Sequence, residues 1–166
     1  RKPRESGSQA QDERAAQEPH SVYPLQSVEG QMRLAADLGF MLRDYEAALG
    51  HYRSLAIDFK QDRSWKHAAG TYEMAGVCLY VMGAPQSECE RCMEHAYDNY
   101  LKAGAGRHAM RSVALQKAMV GDYREAAQRL MKVNGDMADS GLRSALVLEQ
   151  ASQLYFQARA PRKGAF

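Results

Sequence analysis

One twelve-residue pattern recurs in this chain. MLRDYEAALGHY, residues 41–52, returns as MVGDYREAAQRL, residues 119–130, so that Tyr45 and Tyr123 stand 78 residues apart. Segments that recur at this distance mark structural units that stack on one another, since one unit cannot bury its apolar face alone. The units are helical. Leu34, Leu38, Leu42, Tyr45, Leu49, Tyr52, Ala56 and Phe59 follow at steps of three or four, which places them on one helical face. Val, Ile and Thr are scarce, and no alternating strand pattern is found. Helices are expected near 28–42, 45–60, 64–82, 86–103, 107–120, 122–133 and 140–158.

The breaks between them have local causes. Gly83-Ala84-Pro85, Gly104-Ala105-Gly106 and Asn134-Gly135-Asp136 are turn sequences. Asp44 and Asp122 are placed to cap the helices that follow. Ser87 with Glu90 three residues on has the form of a capping box. Asp62 or Ser64 can cap a helix starting near Trp65, and Asp139 or Ser140 one starting near residue 140.

The doubled segment follows the tetratricopeptide pattern: a tight turn, then Tyr, Ala three residues on, and a bulky residue four further. Tyr45, Ala48 and Tyr52 fill these positions in one copy, Tyr123, Ala126 and Leu130 in the other. Ala lets two helices of a pair approach closely, and the larger residues fill the space between pairs. The separation is two repeats of about 34 residues plus about ten of longer loop. A further pair is therefore expected between the copies, where Ala96 and Tyr100 repeat the step from small to aromatic. The expected fold is all-α: antiparallel hairpins stacked as a tetratricopeptide-like α-solenoid of about three and a half repeats over residues 22–160. Residues 1–21 read as a flexible linker. Residues 1–20 hold no Leu, Ile, Val, Phe, Tyr or Trp, and their four basic and four acidic residues cancel. Residues 161–166 read as the start of continuing chain, and the opening Arg1 as a sign that this is an internal piece.

Composition narrows the function classes. The 166 residues are 45% apolar and 25% charged, enough for one core of ordinary kind, and the net charge of +2 gives no basic footprint for nucleic acid. No apolar run approaches the roughly 20 residues that span a bilayer. Three cysteines, Cys78, Cys89 and Cys92, are too few for a disulfide framework and fit a reducing compartment.

Candidate chemical motifs are weak. Cys89-x-x-Cys92-x-x-His95 has the residue types of a zinc site. On a helix, however, Cys89 and His95 lie about 120° and roughly 9 Å apart, so they converge poorly on one ion. A redox Cys-x-x-Cys would follow a strand, and none precedes it. Gly104-x-Gly106 with Ala109 imitates part of a dinucleotide loop, but a helix comes before it. His20, His51, His67, His95 and His108 have no partner at an informative spacing. No catalytic, cofactor or metal residue is assigned. Charge is distributed more tellingly. Helix 86–103 carries Glu88, Glu90, Glu94 and Asp98 against Arg91 and Lys102, and helix 107–120 carries Arg107, Arg111 and Lys117 without an acid. The two are expected to complement each other, or the basic strip to meet an anionic lipid or acidic partner.

Residues 38–83 resemble the subunit 8 family of the TRAPP (transport protein particle) complex. The motifs are Phe40-Met41-Leu42-Arg43-Asp44-Tyr45, then Asp62, Trp65-Lys66-His67 and Glu73-Met74. The runs Cys92 to Gly104, Leu148 to Ser152 and Arg162-Lys163-x-Ala165-Phe166 resemble plant-type members. The likeness covers residues 22–166 in order, more loosely over 105–140, with Gly164 where an aromatic is usual. The resemblance implies a segment of a much larger scaffold subunit of the TRAPP III form. That form activates a Rab-family GTPase in ER-to-Golgi traffic and autophagy. Its exchange site is built from small core subunits, so this segment would have no chemistry of its own. The implied partners are other TRAPP subunits, a Rab-family GTPase indirectly, and peripherally a Golgi-, ER-derived or pre-autophagosomal membrane, with no nucleic acid and no cofactor. The Trp-Lys-His and aromatic positions would pack repeats together. Trp65→Ala would cost roughly 3–5 kcal/mol if the indole is buried. The competing reading is a free-standing repeat adaptor that grips a short peptide in its groove, which would cluster polar and basic residues on the inner helices.

Overall fold

The computed structural model describes residues 23–135 and 141–159. The linker assigned to 1–21, the caps at Asp139 and Ser140 and the chain end at 161–166 lie outside the described residues. The helices run in chain order as α1 Val28–Met41, α2 Tyr45–Gln61, α3 Trp65–Val81, α4 Gln86–Lys102, α5 Gly106–Met119, α6 Tyr123–Gly135 and α7 Gly141–Gln157. Among the described residues there is no strand. Each helix packs mainly on the next, and the short links from α1 to α6 turn the chain back, so the described residues form an α-solenoid of antiparallel helices.

One turn geometry joins α1 through α6. After α1, Arg43 adopts a left-handed φ of 65°, its N–H donates to the Phe40 carbonyl, and the Asp44 N–H donates to the Gly39 carbonyl. This double closure satisfies carbonyls that a helix end leaves orphaned. It recurs at Arg63, Gly83, Gly104 and Gly121. In four links the residue that closes one helix also stands at the N-cap of the next, and Asp44 and Asp122 are the clearest cases. Their carboxylates accept from the Ala47 and Glu125 N–H groups at 3.2 Å, as the sequence predicts.

One capping expectation fails, and another is met in position but without the side-chain bond. Pro85, not Ser87, is the N-cap of α4, and it makes no side-chain cap bond. Pro85 already fixes φ at −52°, which starts the helix before Ser87 is reached. Ser64 is the N-cap of α3, but its hydroxyl lies 2.9 Å from His67 Nδ1 instead of bonding a backbone N–H.

The core is a string of small clusters, each shared by adjacent helices. Ala36, Ala48, Leu49, Tyr52, Ala75, Cys78, Leu79 and Cys89 join α1 to α4. Ala69, Ala96, Tyr100 and Ala109 join α3, α4 and α5. Ala114, Leu130 and Ala151 join α5, α6 and α7. Small residues set the close approach. A methyl group at Gly39 would stand 3.5 Å from Ala48 Cβ, and one at Gly76 would come within 3.0 Å of Met93 Sδ.

The leucine stripe of α1 does not face the core. Leu34, Leu38 and Leu42 are 43%, 47% and 81% exposed. As the first described helix, α1 buries only the side that carries Ala36 and Gly39 against α2, and the leucines lie on the other.

Candidate interaction surface

The sequence-derived positions divide into two groups. Ala48, Tyr52, Ala96, Tyr100, Ala126 and Leu130 are buried. Tyr45, Trp65 and Tyr123 are half-buried. Tyr45 meets Phe40 edge-on at 5.4 Å. Trp65 is not a core residue: it opens α3 at a turn, with Lys102 Nζ 5.2 Å over its ring. The repeat register also differs from expectation. Ala48 stands four residues after its cap, Asp44, whereas Ala96 stands eleven after Pro85. By that count Cys89 and Met93, not Ala96 and Tyr100, match Ala48 and Tyr52. Ala96 and Tyr100 match Leu55 and Phe59, two turns further along the same buried face.

Polar contacts tie the helices across the packed layers. Tyr52 donates its hydroxyl to Asp37 Oδ1 at 2.6 Å, and the same carboxylate holds Arg33 Nε at 2.9 and 3.0 Å. Burial, then this carboxylate, drives the Tyr52 phenol well above its usual pKa. Arg111 Nη2 on α5 lies 3.4 Å from Glu73 Oε1 on α3. Burial, with Glu73 next, leaves the Tyr100 phenol pushed up to about 12. Lys117 Nζ on α5 lies 3.1 Å from Glu125 Oε2 on α6. The α5 cations Arg111 and Lys117 thus pair with α3 and α6, and the expected α4–α5 complementarity is not what forms. Glu94 and Asp98 lie on the exposed side of α4, opposite the face that carries Met93, Ala96 and Tyr100. Sequence spacing could have suggested the Arg33–Asp37 pair, which is four apart, but not its phenol partner fifteen residues away.

Two surfaces stand out. The first is cationic. Lys66, Arg111 and Arg107 all bear on His108, and burial first, then these charges, lowers its pKa. His108 stacks on Tyr100 at 5.5 Å. The second is apolar and lies where α3 turns into α4 and α5 ends. A cavity of about 210 Å³ opens there, walled by Tyr80, Ala84, Cys89, Met93, Met119 and Val120. No sequence motif announces it, because its walls come from three helices.

The thiols are poor candidates for chemistry. Cys78 and Cys89 are buried and Cys92 is half-buried. Burial raises all three pKa values, Cys78 to about 11, and a thiol held protonated is a weak nucleophile and a weak ligand. Among the described residues no three His, Cys, Asp or Glu side chains gather as metal ligands. Among the same residues no helix is long and apolar enough to cross a membrane.

Comparison with known proteins agrees with the quoted motifs. The chain is 35% identical over 153 residues to human trafficking protein particle complex subunit 8, covering 87% of this chain and 10% of that protein. It is 36% identical over 60 residues to transport protein particle subunit trs85-1 of Schizosaccharomyces pombe, covering 36% of this chain and 9% of that protein. The chain therefore spans about a tenth of the length of these curated relatives. No solved structure matches it. The family pattern described as the ER-Golgi trafficking TRAPP I complex 85 kDa subunit matches residues 1–138. With that match and the human relative together, the chain belongs to the TRAPPC-Trs85 family.

Proposed function

We propose that this chain is a scaffold segment of a TRAPP-type assembly, with no chemistry of its own. The observation that carries the reading is the 35% identity to human subunit 8 over 87% of the chain. The fold is of a kind that suits it: a solenoid presents long faces for neighbours and stacks by adding units. In this reading the segment contributes to a tethering assembly that activates a Rab-family GTPase in ER-to-Golgi traffic and autophagy. It does so by holding other subunits, peripherally at a membrane. The tetratricopeptide-like register belongs to the same reading, with Tyr45, Ala48, Tyr52, Tyr123, Ala126 and Leu130 as the packing positions of the first and third hairpins.

The test is affinity purification of the full-length parent protein from its own cells, with mass spectrometry. Recovery of the small TRAPP core subunits in fixed ratio is expected. Their absence, with the protein otherwise intact, would refute the scaffold reading. The adaptor reading has one observation in its favour: the basic residues Lys66, Arg107 and Arg111 gathered around His108 on α3 and α5. Recovery of varied proteins sharing one acidic peptide motif, without core subunits, would favour it.

A further inference from the structure

We propose that the cavity between the α3–α4 turn and the end of α5 receives an apolar side chain from a basic amphipathic segment of another subunit. This rests on the scaffold reading and adds where a partner docks and what chemistry it brings.

Size comes first. The cavity is about 210 Å³, below the roughly 300–1,000 Å³ of sites that enclose small ligands. It suits one or two side chains better than a cofactor. Its inner wall is apolar and fixed, since Cys89 and Met93 are 5% and 1% exposed. Its mouth is apolar and open. Tyr80 and Val120, which line it, are 48% and 43% exposed. Single exposed apolar residues are ordinary. Two large ones at the mouth of a cavity with an apolar inner wall mark a surface suited to being covered.

Electrostatics then selects the occupant. Glu90 is the one charged residue lining the cavity, and Glu88 stands beside it in the first turn of α4. The ends of α3 and α5 both reach the cavity, through Tyr80 and Gly83 and through Met119 and Val120. Helix C-termini carry partial negative charge. The last turn of α3 has no basic residue to offset it. Lys117, the base in the last turn of α5, is already paired with Glu125. Gln86, the first residue of α4, also lines the cavity and brings one helix N-terminus of opposite sign, so the edge is apolar inside and negative on balance around it. An apolar anchor flanked by Lys or Arg satisfies both conditions, whereas an acidic segment would be repelled by Glu88, Glu90 and the two helix C-termini. The cationic ground around His108 is a separate surface, built by the N-terminal residues of α3 and α5.

The experiment uses the full-length parent protein in its assembled complex. The photo-crosslinking residue p-benzoylphenylalanine replaces Tyr80 in one variant and Val120 in another, and adducts are mapped by mass spectrometry. The expected result is an adduct from both positions to one segment of another subunit, with Lys or Arg flanking the attached apolar residue. That segment, made as a peptide, should bind Glu90→Lys at least tenfold more weakly than the unaltered protein. Several results would overturn the proposal: an adduct to an acidic or uncharged segment, an adduct within the same polypeptide, no adduct from a variant that still co-purifies with the complex, or unchanged peptide binding by Glu90→Lys. Unaltered protein that purifies with no other subunit would overturn the scaffold reading and this proposal together.

Discussion

The five turns that join α1 through α6 share one geometry but not one residue type, and this makes their energetics testable with opposite signs. Gly83, Gly104 and Gly121 hold φ values of 73°, 63° and 84°, and Arg43 and Arg63 hold 65° and 54°. An L-residue in this left-handed region brings its Cβ too close to the following carbonyl, at a cost of roughly 1–2 kcal/mol. Glycine avoids that cost but loses about 0.5–1 kcal/mol more chain entropy on folding. At Gly104 a methyl group would meet nothing within 4 Å, so Gly104→Ala isolates the backbone effect. It should destabilise by about 1 kcal/mol, the strain less the entropy recovered. Arg63 is exposed, and Arg63→Gly should stabilise by about 0.5–1 kcal/mol through the same difference taken in reverse. Urea denaturation at pH 7 followed by helical circular dichroism measures both. In a melting curve each kcal/mol corresponds to about 2–4 °C for a chain of this size. A lower midpoint for Arg63→Gly, or no loss for Gly104→Ala, would show that the arginine side chain and not the backbone sets the balance at these turns.

Three further outcomes follow from named contacts. Tyr52→Phe removes a 2.6 Å hydrogen bond to Asp37. Because the Asp37 side chain is 42% exposed and water can replace the phenol, the loss should be about 1–2 kcal/mol, and Asp37→Asn should remove most of the difference in a double-mutant cycle. Trp65→Ala should cost about 1–3 kcal/mol rather than the 3–5 of a buried aromatic, since the indole is half-covered and capped by Lys102; a loss above about 4 kcal/mol would place the ring in a core. Glu125 has its pKa lowered from 4.5 to about 2, first by its hydrogen bond to Arg129 and then by Lys117. A depressed carboxylate stabilises the fold above its unfolded pKa and loses that contribution as pH falls through the folded one. Stability should therefore decline between about pH 4.5 and 2, and Glu125→Gln should flatten that part of the pH profile.

Helices and turns were legible because their signals are local. Every helix end lies within two residues of expectation, since turn glycines, Asp caps and the period of apolar residues act within a few positions. The doubled Asp-Tyr segment also led correctly to stacked hairpins. What failed was register and orientation. Ala96 and Tyr100 have the right residue types, but they stand seven residues further from their cap than Ala48 and Tyr52 do, and a small-then-large step four residues apart recurs along one helix face. Leu34, Leu38 and Leu42 have a buried helix's spacing but no partner helix among the described residues, and periodicity cannot tell a face that meets this chain from one that meets something else. Trp65 illustrates the same limit: its size favours burial, but its place at the first position of α3 leaves one face of the ring for Lys102. The cavity was invisible for a different reason, because it depends on where α5 ends relative to the α3–α4 turn.

A string of clusters should also lose structure in sections, and Leu130 offers a direct probe. Its side chain is 5% exposed and packs with Ala114 and Ala151 in the cluster that joins α5, α6 and α7. No residue of that cluster belongs to those that join α1 to α4. Leu130→Ala should cost about 2–5 kcal/mol where the leucine packs. In a solenoid whose units contact only their neighbours, that loss is felt locally. Hydrogen exchange should then show lowered protection in α6 and α7, and nearly unchanged protection in α2 and α3. Tyr80, Cys89 and Met93, the α3 and α4 walls of the cavity, share no cluster with Leu130, so the variant should still form the crosslinks expected from Tyr80. Equal loss of protection from α1 through α7 would mean that the hairpins unfold as one unit. In that case a change at either end of the segment would also reach the cavity, and docking could not be separated from stability by substitution.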